Sequence, residues 1–86
     1  MRVRIPTPLR SYTNGEPAVE AVGATVDEVL RDLDRRYPGI RFRMVDEQGR
    51  LRTHMKVFLG DEMTRDLTSA VDPAIEVTLM QALSGG

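Results

Sequence analysis

Only one stretch of the 86 residues carries a helical period long enough to commit the chain, and everything else must be built around it. Val26, Val29, Leu30, Leu33 and Tyr37 fall at spacings of three, four, seven and eleven, which is one face of an α-helix. Thr25 followed by Glu28 is a capping box: the hydroxyl accepts an N–H of the first turn while the carboxylate reaches back. Asp27, Glu28, Asp32 and Asp34, with Arg31, Arg35 and Arg36, cover the polar side, and the two last arginines suit the negative end of the helix dipole. Pro38-Gly39 ends the run, so a helix is predicted over roughly 25–37.

The flanking segments read as strands. Arg2-Val3-Arg4-Ile5 alternates polar and apolar residues, with Val3 and Ile5 toward a core. Pro6 and Pro8 cannot donate to a ladder, so the strand leaves the sheet there, with Leu9 reaching back as an anchor. Tyr12-Thr13-Asn14-Gly15 is a turn cue, and a second strand follows over 16–22, which makes an N-terminal hairpin. Beyond the helix, Ile40 to Met44 alternates weakly and is predicted as a strand, and Asp46-Glu47-Gln48-Gly49 as a turn. His54 to Leu59 is a strand with Val57 and Leu59 on one face and Phe58 on the other. Gly60-Asp61 is a two-residue hairpin turn before Glu62-Met63, and 66–72 reads as a short helical or 3₁₀ connection. Ala74 to Leu79 completes the set, with Ile75, Val77 and Leu79 inward. Strands grouped around one helix make an α+β domain, a mixed sheet of four to five strands with one main helix packed on it. If the first and last strands pair in parallel at the centre, the result is a β-grasp.

Composition narrows the chemistry. A chain this short hides only about 60–65% of its unfolded surface, too little for a large enclosed catalytic cavity. Twelve basic against thirteen acidic side chains, a net charge of −1, give no general pull toward nucleic acid or an anionic membrane. No apolar run approaches the ~20 residues that span a bilayer, and the N-terminus has no signal-peptide core. The lack of cysteine excludes disulfides, thiolate metal sites and a side-chain persulfide, and a lone histidine offers no zinc site. There is no phosphate-cradling or dinucleotide fingerprint. No group of side chains meets the demands of a catalytic site.

What remains is the end of the chain. Gly85-Gly86 carries no side chains, so such a tail can thread a narrow channel and present its carboxylate to a nucleotide, and it follows a few residues after the cleanest strand. The plain alternative is a frayed terminus. Met80 and Leu83 beside it are core filler or a small apolar landing surface. Arg41, Arg43, Arg50, Arg52, His54 and Lys56 form a locally basic stretch that alternation would spread over a strand face. It is a docking patch for an acidic partner or RNA phosphates, or, the preferred reading, a solvated face balanced by Asp46 and Glu47. Asp61 and Glu62 sit at a turn, where Asp is favoured on backbone grounds.

The β-β-α-β order, Ile5-Pro6-Thr7-Pro8-Leu9-Arg10 after the first strand, the Tyr37-Pro38-Gly39-Ile40 stop and the closing Ser84-Gly85-Gly86 together resemble the MoaD/ThiS family of ubiquitin-like sulfur carriers, and within it the carriers of cysteine biosynthesis. Val71-Asp72-Pro73-Ala74 departs from the Asp-Gly-Asp turn usual in that family. The resemblance implies one β-grasp carrier domain over 1–86 with a flexible tail over 82–86, and a non-catalytic, cytoplasmic protein that is monomeric when free. A separate activating enzyme of the ubiquitin-activating type would adenylate the Gly86 carboxylate with ATP and Mg²⁺, and a sulfur donor would convert it to a thiocarboxylate. Ser84 and Gly85 would thread the partner's channel, and Leu83 and Met80 would touch the partner. The implied acceptor is a sulfhydrylase-like biosynthetic enzyme; molybdopterin, thiamin, tRNA and natural-product pathways are further options. No bound cofactor, metal, nucleic acid or membrane is implied. A ubiquitin-like modifier that forms isopeptide bonds and an interaction module without terminal chemistry are the alternatives.

Overall fold

In the computed structural model, which describes residues 1–82, five strands form one sheet. They are β1 (Arg2–Arg4), β2 (Ala18–Glu20), β3 (Met55–Leu59), β4 (Glu62–Thr64) and β5 (Val77–Gln81), in the order β2-β1-β5-β3-β4. β1 and β5 pair in parallel at the centre, Val3 opposite Val77 and Arg4 opposite Thr78, and all other neighbours are antiparallel. A parallel pair demands a crossover. That crossover contains α1 (Val26–Arg36) and α2 (Ile40–Met44), whose buried side chains join Val3, Val57, Val77 and Leu79 in one core cluster. The parallel pairing meets the condition left open by the strand pattern, and the mixed five-stranded sheet with its main helix is the β-grasp arrangement that the resemblance implies.

The N-terminus of α1 organises a second layer of contacts. Thr25 Oγ1 accepts the Glu28 N–H at 3.2 Å, and Glu28 Oε1 accepts the Ala24 N–H at 3.0 Å. Two further N–H groups at this end, of Val26 and Asp27, donate to the carbonyls of Ser69 and Leu67 at 3.1 and 2.9 Å. Segment 66–72, expected to be a short helical or 3₁₀ connection, closes only one turn, from the Ser69 N–H to the Asp66 carbonyl at 3.0 Å, because the carbonyls of Leu67 and Ser69 serve α1 instead. Asp66 starts the loop, its Oδ1 accepting both the N–H and the hydroxyl of Thr68.

Three other segments differ from expectation. Residues 40–44 form a helical turn, not a strand. Ile40 and Met44 are buried four residues apart, Phe42 is left outside, and the Asp34 carboxylate accepts the N–H groups of Gly39 and Arg41 that open the turn. Gly39 at φ +98 makes the sharp exit from α1, with Tyr12 lying against it. β1 and β2 pair as the expected N-terminal hairpin, but a 3₁₀ helix, Thr7–Thr13, lengthens the connection, with Leu9 anchored in full burial. Asn14 and Gly15, both left-handed, then return the chain to β2. β5 begins three residues later than expected, because Asp72 holds Ala74 and Ile75 in a turn and Ile75 stays exposed. The Gly60-Asp61 hairpin between β3 and β4 forms as read, with Leu59 opposite Glu62 and Gly60 at φ +60.

Gly23 lies so close to α1 that an added Cβ would stand 2.6 Å from the Val29 nitrogen and 2.9 Å from the Glu28 carbonyl carbon. Both are backbone atoms and cannot step aside. Gly23→Ala is expected to lower stability by about 1–3 kcal/mol, read as an earlier denaturant midpoint. An unshifted midpoint would mean the 21–25 segment can lift off the helix freely.

Candidate functional site

The site begins where β5 ends. Gln81 is still paired with Met55, and the Ala82 N–H donates to the His54 carbonyl at 2.7 Å, so the backbone is held to the edge of the fold. Leu83, Ser84, Gly85 and Gly86, the residues on which the terminal chemistry would depend, lie outside the described residues.

Alternation along β3, β4 and β5 sorts their side chains into two faces. Val57, Val77 and Leu79 go to the core. Phe58 stands opposite both Met63 and Thr78 across the sheet, and Lys56 opposite Met80, on the other face. Met63 and Met80 are 49% and 41% exposed, so this face carries an apolar strip running toward the tail root, with Lys56 beside it. Met80 thus lies on the accessible side and not under the sheet. Phe58 and Met63 join it, and the sequence reading did not single them out as contact residues; their signal was parity opposite to Val57 and Leu59. Arg2 and Arg4 border the strip and share Glu76 at 3.3 and 3.7 Å.

The basic stretch is divided by the fold. Arg41 turns back to α1, where its Nη2 donates to Asp27 Oδ1 at 2.7 Å. Arg50 stays in the exposed 46–50 turn, and Lys56 goes to the apolar face. Arg43, Arg52 and His54 instead gather with Phe42, Met55 and Gln81 around an open groove of about 380 Å³ beside the tail root. The strand-face arrangement expected for these residues fails because 40–44 is helical, which moves Arg43 to the helix side. Arg65 holds the loop that carries Arg52 and His54, donating to the carbonyls of Leu51, Arg52 and Met55.

Four aspartates are committed to structure. Asp32, buried on α1 despite its place in the polar half of the pattern, accepts the Val22 N–H at 2.9 Å and the guanidinium groups of Arg35 and Arg36. The Val22 N–H foremost, then the two arginines, outweigh burial and hold its carboxyl below the usual Asp range. Burial pushes Asp27 up, but hydrogen bonds from Arg31 and Arg41 prevail and lower it. Asp46 is lowered chiefly by the Arg50 N–H, and Asp66 by Thr68. Among the described residues no group of three metal-ligating side chains converges, and no helix is long and apolar enough to cross a membrane.

The architecture is that of the ubiquitin-like β-grasp proteins. The ThiS family profile matches residues 3–86, and the chain belongs to that family. It is 36% identical over 89 residues to the sulfur carrier protein CysO of Mycobacterium tuberculosis, covering 98% of this chain and 96% of that protein. A chain in the crystal structure of the Amycolatopsis orientalis BexX/CysO complex superposes with a TM-score of 0.91 at 40% identity, covering 99% of this chain and 98% of that one. SAMP1 of Haloferax volcanii superposes with a TM-score of 0.78 at 27% identity, over 100% and 98% of the two chains.

Because the folded-state values of these aspartates lie below the ~3.9 of an unfolded Asp, their ionised forms stabilise the fold at neutral pH. That contribution is lost as pH falls below about 4. Asp32→Asn should be less stable than the parent at pH 7, with the gap closing under acid; a constant gap in urea midpoints across that range would acquit Asp32.

Proposed function

We propose that this chain is a sulfur carrier whose cargo is attached at the Gly86 carboxylate. The observation that carries the reading is its correspondence over nearly the whole length to CysO, a sulfur carrier protein. A carboxylate is a poor electrophile; joining it to AMP creates a leaving group, and a sulfur donor then displaces AMP to leave a thiocarboxylate. A separate activating enzyme supplies ATP, Mg²⁺ and the acid–base groups, so the carrier is not itself an enzyme and holds no cofactor. Its own residues position the end: β5 and the Ala82–His54 hydrogen bond aim the chain outward, and the strip of Phe58, Met63 and Met80 offers the partner an apolar seat. Leu83 is a further apolar contact for the partner on this reading, and Ser84 and Gly85 add little bulk in a channel.

The thiocarboxylate then delivers sulfur inside an acceptor enzyme, with a sulfhydrylase of cysteine biosynthesis as the first candidate. ATP dependence fits a cytoplasmic site of action. The likeness to SAMP1, a small archaeal modifier protein by name, supports a second reading as a modifier joined to lysines.

Incubation with an activating enzyme, ATP and sulfide should raise the intact mass by the difference between sulfur and oxygen. A variant lacking Gly86 should fold normally and show no such gain; a gain in that variant would end the proposal. Isopeptide-linked products after incubation with ATP and lysate would favour the modifier reading. Met80→Asp is expected to raise the KM for activation about tenfold, as loss of a buried contact worth ~1.4 kcal/mol would. An unaltered KM would remove the apolar strip from the docking surface.

A further inference from the structure

The groove of Phe42, Arg43, Arg52, His54, Met55 and Gln81 has no part in the chemistry above, yet it touches the tail root through Gln81. It faces the helix side of the sheet, while the apolar strip faces the other side. An enzyme that closes around Ala82 from both sides of the sheet would meet both. Arg52 is pre-oriented: its Nε donates to the Phe42 carbonyl at 2.7 Å, and its guanidinium lies 4.6 Å from the centre of the Phe42 ring. That arrangement holds the planar fork in place while leaving its outer N–H groups for a carboxylate. Arg43 is exposed and makes no side-chain hydrogen bond among the described residues.

The acids that sequence proximity offered as counter-charges neutralise the groove only in part. Asp46 spends Oδ1 on the N–H groups of Gln48 and Arg50 and acts on Arg52 through charge at longer range, but neither Asp46 nor Glu47 forms a direct ion pair among the described residues, and Arg43 keeps its full charge. Phe42, 56% exposed, adds an apolar floor next to the two guanidinium groups. A site of this size and composition suits one or two carboxylates on a peptide with a neighbouring apolar side chain. A nucleic acid would require a continuous basic stripe, and the chain as a whole has a net charge of −1.

We propose that the groove is the docking site for an acidic segment of the enzyme that activates the tail, so that the enzyme grips the tail root from both sides. The inference rests on the carrier reading. Opposite charges at such a rim speed encounter and fix orientation more than they deepen affinity. The groove should therefore set the apparent affinity for the carrier and leave the chemical step alone.

The test is pyrophosphate exchange by an activating enzyme with the full chain, Arg43→Lys, Arg43→Glu and the Arg43→Glu/Arg52→Glu double variant. Arg43→Glu is expected to raise the KM for the carrier about tenfold with kcat unchanged, the double variant further, and Arg43→Lys little. Added salt should narrow these differences. Because Arg52 also bonds the backbone, the single Arg43→Glu variant, checked for native amide spectra, carries the decision. An unchanged KM in that variant overturns the proposal while leaving the carrier reading intact. Failure of the unaltered chain to be activated overturns both. Titration with a short oligouridylate provides the last arm: shifts centred on Arg43, Arg52 and His54, with normal activation of the variants, would make the groove a nucleic-acid site instead.

Discussion

The parallel pairing of β1 with β5 is the constraint from which the rest of the architecture follows. Two strands at opposite ends of the chain can run side by side in the same direction only if everything between them crosses over the sheet. The crossover must bury an apolar stripe, and α1 is the one element long enough to supply it. With the centre of the sheet so occupied, the β3–β4 hairpin can join only at the free side of β5, and β2 only at the free side of β1. The end of β5 is thereby delivered to the rim, flanked by one sheet face and one helix face. Both flanks of the tail root, apolar and basic, are consequences of this single pairing.

Polar groups do much to lock that crossover in place. Orphan N–H groups at the start of a helix must find acceptors, and here the 67–69 carbonyls supply two of them while Thr25 supplies another. A loop distant in sequence is thus pinned to the helix by backbone alone. Asp32 does the same from within α1, tying the Val22 N–H to the helix that follows it. Gly23 between them permits the approach, since backbone meets backbone there. The result is a body whose layers are tied together through the backbone around the start of α1.

Much of this was legible in the residues. The α1 stripe, its cap and its stop were readable because they are local, and the Gly60-Asp61 turn because glycine accepts the left-handed conformation there. The errors share a different origin. Ile40 and Met44 fit both a two-residue and a four-residue period, and only the Asp34 carboxylate, which accepts N–H groups five and seven residues away, selects the helix. Residues 66–72 lost most of their expected helical form to acceptor demands from α1, which no local pattern encodes. Asp32 looked like an ordinary polar-face residue because its main donor, the Val22 N–H, lies ten residues upstream. Of the site, Met80 could be named in advance. Phe58 and Met63 could be paired only once the strand register was known, and the grouping of Arg43, Arg52 and His54 depended on the unexpected α2.

The hydrogen bond from Ala82 to His54 gives the tail a fixed origin. Gly86 lies four residues beyond Ala82, and an extended chain of that length spans about 14 Å at most. The carrier is thus also a measuring stick. On the carrier reading, a pocket acting on Gly86 would lie no deeper than that span beneath the surface on which β5 ends, and every enzyme serving the same carrier would have to match that depth.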